Sequence, residues 1–128
     1  MGFVLPPQLQ GGVDTSTPYS CPITVSVRDL VYSSGVNSVD KADADDAGKR
    51  PAVGFVRSKP STTTCIVQYD GELTGFVGLT ASDIMYMSET AGAITATAPT
   101  ASGSSVQEVA FARNATTIAI EIGELLEL

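Results

Sequence analysis

The sequence predicts an all-β fold, a small β-barrel or β-sandwich made of two similar β units and preceded by an extended N-terminal arm. Three observations carry that expectation. Apolar and polar residues alternate over short runs, most cleanly where Ile118, Ile120 and Ile122 alternate with Thr117, Ala119 and Glu121; a period of two sets one face of a strand against a core. Turn signals interrupt the chain every few residues. Asp70–Gly71 is the strongest of them, because Gly takes positive φ without steric penalty and Asp tolerates it. Finally, two stretches resemble each other. One runs D-L-V-Y-S from Asp29, then A-V-G-F-V at Ala52 and T-T-C-I-V-Q-Y at Thr63; the other runs D-I-M-Y-M from Asp83, then E-V-A-F-A at Glu108 and T-T-I-A-I-E-I at Thr116. Each unit, about 29–71 and 83–123, presents an apolar face that it cannot bury alone, so the two are expected to share one core.

Taken in order, residues 1–22 hold four of the seven prolines together with Gly11–Gly12, which excludes a helix or a long strand. Apolar residues are spaced among the prolines. The stretch reads either as a disordered tail or as an arm that drapes over a neighbouring subunit; proline lowers the entropy lost when such an arm is ordered. The arm is the preferred reading, with Phe3, Leu5, Leu9, Val13 and Tyr19 as candidate capsid or subunit contacts. Residues 23–123 are expected to form a single β domain, and 124–128 a short tail whose Leu residues could dock on a partner.

Within the domain, strands are expected at Ile23–Val27 and Leu30–Ser33, with a marginal one at Val36–Val39. Asp40–Arg50 lacks any large apolar side chain and reads as a solvated loop with a helical turn within Ala42–Ala47. The centre of the chain reads as a β-meander, Ala52–Arg57, Thr64–Tyr69 and Leu73–Val77, with turns at Ser58–Ser61 and Asp70–Gly71. Further strands are expected at Ile84–Ser88, Ala93–Thr97, Val106–Ala112 and Thr117–Ile122.

At 128 residues the chain holds one domain and a modest core. Its net charge of -7, with no basic cluster, argues against nucleic acid and against an anionic membrane surface as partners. No apolar run reaches the roughly 18 residues of a membrane-spanning helix. The first ten residues have no basic region and two prolines, so they do not read as a secretory signal. Only 16% of residues are charged, which fits a surface covered by copies or by a partner, or a Thr/Ser-rich β surface. Cys21 and Cys65, the two cysteines, are expected to be reduced and buried, with a bridge between them as the alternative.

The chain has no His, and so lacks the commonest neutral-pH base and transition-metal ligand. Two isolated cysteines do not make a zinc site, and G-F-V-G-L at Gly75 has neither the spacing nor the following helix of a phosphate loop. Asp43, Asp45 and Asp46 suggest the start of a calcium loop, but the later Gly and Glu ligands are missing. Asp70 and Glu72 flank a turn Gly without a cleft or a sugar platform. The reading is therefore non-enzymatic, with no catalytic residue, cofactor or metal: a protein that presents edges, loops and an arm to partners.

From Asp29 to Gly123 the sequence resembles a module of tailed-bacteriophage virion proteins. The residues that carry this are Val31–Tyr32, Lys41–Asp46, Pro51–Val56, Val67–Thr80, Tyr86–Thr100, Val106–Ala112 and Thr116–Gly123, including G-E-L-T-G at Gly71 and S-E-T-A-G at Ser88. Similar modules are found in capsid decoration, or cement, proteins and in phage fibres. The short length favours decoration. The resemblance implies a homotrimer made in the host cytoplasm that sits on the capsid exterior and bridges subunits of the major capsid protein. The alternatives are a tail or head fibre component and a glycan-binding adsorption module.

Overall fold

The computed structural model describes residues 17–128, which form twelve strands and a single turn of 3-10 helix. The strands are β1 (Tyr19–Ser20), β2 (Leu30–Gly35), β3 (Ser38–Lys41), β4 (Ala52–Ser61), β5 (Thr64–Gln68), β6 (Asp70–Thr74), β7 (Ile84–Met87), β8 (Ile94–Thr95), β9 (Ser105–Val106), β10 (Glu108–Ala112), β11 (Thr117–Glu121) and β12 (Leu126–Glu127). They make three sheets. The first is ordered β1-β3-β2-β4-β5 and closes because β1 pairs with both β3 and β5; the second is an open sheet, β6-β11-β10-β7-β8; the third is the ribbon β12-β9.

This corrects the expectation of a single barrel or sandwich of two similar units. The chain as a whole is neither. It is an assembly of sheets of different form, and the closure of the first rests on the two-residue strand β1. The central meander is also corrected. β6 pairs with β11 rather than β5, so Asp70–Gly71 opens a strand of the second sheet and makes no hairpin. Gly71 keeps the positive φ (79°) that the turn reading relied on. Ile23–Val27 is not a strand. Its backbone turns twice, Val25 N–H to Pro22 O and Asp29 N–H to Ser26 O, and only Val25 of this run is buried. The turn expected at Ser58–Ser61 lies inside β4, which absorbs it as register irregularities against β5.

Alternation assigns the core. Along β2 and β4, Val31 and Val56 face into the closed sheet with Cys21, Val25, Val39, Cys65 and Val67, while Leu30 and Phe55 face outward. The outward pair packs with Met85, Met87, Val109, Ile118 and Ile120 of the second sheet. The inner face of one sheet thus rests on the outer face of the other. Phe55 is fully buried, at 0% exposure, and takes the Phe76 ring edge-on, with centroids 6.1 Å apart.

Backbone polar groups are satisfied across this junction. The buried Gln107 amide works as a substitute strand partner: its Oε1 accepts from Ala52 N–H (2.9 Å), and its Nε2 donates to Ala52 O (3.1 Å) and Gly123 O (2.9 Å). Ala44 O accepts from Arg50 Nη1, Ser104 Oγ and Ser105 Oγ. The stretch 40–50 is therefore not a solvated loop: Ala42 and Ala44 are fully buried, and the 3-10 turn lies at Ala47–Lys49. Small side chains let this segment lie against the second sheet, where Leu30 N–H donates to Gly92 O and Gly92 N–H to Ala42 O.

Candidate interaction surface

The four arm residues Phe3, Leu5, Leu9 and Val13 lie outside the described residues. Tyr19, the fifth, is half-buried in β1 opposite Cys65; its hydroxyl accepts from Tyr69 Oη at 2.5 Å, and its ring packs on the core of the closed sheet. The tail residues Leu126 and Leu128 are exposed, at 62% and 44%, while their backbone is tied to β9 and to Ser104.

Sheet edges decide where another chain could pair. β6 is an edge of the second sheet, but Gln68 Nε2 donates to Asp70 O and Glu72 O, at 2.8 and 2.9 Å. A buried side chain thus occupies carbonyls that an added strand would need. Glu72 is further held by an ion pair with Arg113. β8 is the other edge, pairing only with β7, and no charged residue stands in Ile94–Thr95 or its flanks Ala93 and Ala96.

Beside that edge runs a groove. Gly75 N–H and Phe76 N–H both donate to Thr116 O (3.0 Å each), and Leu79 N–H donates to Ala115 O, which folds the segment after β6 back over the sheet. Gly75 is required there because its φ is 106°, a conformation that L side chains rarely adopt. Phe76 and Leu79 turn inward, and Val77 is left 85% exposed. Two adjoining depressions of about 360 and 390 Å³ share Val77, Leu79, Met85 and Ile94; Arg28 and Asp83 are the charged residues along them. Ile84, opposite Phe111 in register, adds a 42%-exposed apolar side chain on the outward face of β7.

Burial raises the Asp29 carboxyl above its usual range, against a lowering hydrogen bond from Ser26 N–H (2.8 Å) and the charges of Lys41 and Lys59. Burial, together with the neighbouring Asp45, also raises Asp43. Asp43 and Asp46 cap local turns at Asp45 N–H and Gly48 N–H, and no metal-holding cluster of His, Cys, Asp or Glu occurs among the described residues. The groove itself was missed in the sequence reading. Its signal was present in Gly75 and Gly78, which bracket Phe76–Val77 and hold positive φ of 106° and 75°.

No protein-family model, curated protein or solved structure matches the chain.

Proposed function

We propose that this chain is a non-enzymatic virion protein, a capsid cement protein that binds the outer surface of a phage shell and holds neighbouring major capsid subunits, acting as a homotrimer. The supporting observation is the short, uncharged β8 edge beside the Val77–Ile94 groove, on a sheet whose opposite edge, β6, is occupied by Gln68. An extended, uncharged segment of the capsid protein pairs with β8 and sets an apolar side chain into the groove. Burying a residue such as Val77 contributes about 2 kcal/mol. Contacts of that size become firm retention when several copies engage at once. The sequence resemblance to phage virion modules and the low charge density support the same reading.

Cryo-electron microscopy of particles with and without this protein tests it. Density on the outer capsid lattice is the expected result; density confined to the tail or to a fibre overturns it. The arm is tested separately by removing residues 1–16, which spares β1. Reduced occupancy on empty shells is expected, and unchanged occupancy removes the arm from the mechanism.

A further inference from the structure

Two cysteines meet inside the closed sheet. Tyr19 pairs with Cys65, and Cys21 N–H donates to Thr63 O (2.9 Å), so Cys21, the residue after β1, lies diagonally across from Cys65 on the same face. Both are unbridged and buried, 6% and 0% exposed, in one apolar cluster. They differ in access. Cys21 lines an open cavity of about 270 Å³, walled by Ser34, Ser38, Thr63 and Thr64; Cys65 is not among the lining residues.

We propose that Cys21 and Cys65 form an oxidation site, at which a peroxide entering by this cavity converts the two thiols into an intramolecular disulfide that locks β1 into the closed sheet. The Cys21 sulfur attacks the peroxide, the O–O bond breaks, and one oxygen remains on Cys21 as a sulfenic acid while the other leaves as water or an alcohol. The Cys65 sulfur then attacks Cys21, the S–O bond breaks, and the oxygen departs as water with the Cys65 proton. The two thiols lose two protons and two electrons; the peroxide accepts them. Access sets the order, because Cys21 lines the cavity and Cys65 does not: Cys21 is oxidised and Cys65 resolves it. Burial first, then the Cys21 sulfur beside it, pushes the Cys65 thiol up to about 12. The second step is slow at neutral pH and quickens as the pH rises. The site is independent of the proposed cementing role.

The test uses the full chain, treated natively with hydrogen peroxide, quenched with catalase, then unfolded in iodoacetamide. The expected product carries no alkyl group, is lighter than the reduced chain by about 2 Da, and yields a peptide joining Cys21 to Cys65. Because the bridge closes a long loop, the oxidised chain should melt about 10 °C higher than the reduced one. Cys21→Ser should abolish both the link and the gain in melting temperature. Two alkyl groups after treatment, over-oxidised Cys21 without a link, or links only between chains each overturn the proposal. The wild-type masses decide this even if the variant does not fold.

Discussion

The two five-stranded sheets share some strand pairings but differ in form: one closes and the other stays open. β1 pairs with β5 through Ser20 and Thr64 as β6 pairs with β11 through Thr74 and Thr117. Leu30↔Phe55 and Val31↔Gly54 in the first sheet are matched by Ile84↔Phe111 and Met85↔Ala110 in the second. Arg28 and Ser82 hold positive φ of 77° and 76°, and their N–H groups donate to Val56 O and Ala112 O. Yet β1 also reaches β3, whereas β6 does not reach β8. The first sheet buries its inner face on itself. The second directs its inner face onto Leu30, Ala52 and Phe55 of the first, so it stays open, and the space between β6 and β8 becomes the groove. Closure therefore depends on what fills a sheet's inner face as much as on strand order.

Four substitutions break or sharpen this comparison, in descending order of effect. Phe55→Ala removes the side chain that joins the sheets and should cost about 4 kcal/mol. Denaturant unfolding should remain one transition with a lower midpoint; two separate transitions would show that the sheets do not depend on each other. Gln107→Ala leaves Ala52 N–H and O and Gly123 O without their partner, a loss of about 3 kcal/mol on the same measurement. Gln68→Ala costs about 1–2 kcal/mol and exposes the β6 carbonyls. Sedimentation should then show concentration-dependent association beyond the wild-type oligomer; no larger species at any concentration would mean that the edge is protected some other way.

Asp29→Asn is the smallest. Its folded carboxyl titrates above the ordinary 3.8, so the folded state holds the proton more tightly. The associated stability is full below pH 3.8 and is lost as pH rises through the folded value. Asn keeps an acceptor for Ser26 N–H and does not titrate. The variant should therefore gain under about 1 kcal/mol on the wild type at neutral pH, with solvent screening keeping the gain small. The gain should shrink as the pH falls to about 3.8. A gain that is independent of pH would assign the effect to packing.

Strands with clean alternation were legible in the sequence. Ile118 and Ile120 are buried as their spacing requires, and β7 buries Met85 and Met87 while exposing Ile84. Partner choice was not legible. Asp70–Gly71 has the composition of a hairpin, but β5 is already paired on both sides, by β1 and β4, so β6 pairs with β11 over Asp70 to Thr74. In β10 the register shift between Glu108 and Ala110 changes the parity, so Val109 is buried while Phe111, two residues on, turns outward. The polar run at 40–50 concealed two buried alanines, because alanine is a core residue wherever backbones approach closely. Of the five candidate contact residues only Tyr19 falls in the described chain, and there it serves the closed sheet.

The central claim is that the open sheet carries the contact face and the closed sheet supports it. Occupancy on empty capsid shells, measured by quantitative cryo-electron microscopy, separates the two. Thr95→Pro combined with Val77→Asp alters the β8 edge and the groove; Val36→Asp alters a 93%-exposed residue at the β2–β3 turn of the closed sheet. The account predicts that the double variant, still folded by circular dichroism, empties the lattice while Val36→Asp leaves it filled. Full occupancy by the double variant, or loss with Val36→Asp alone, would contradict it.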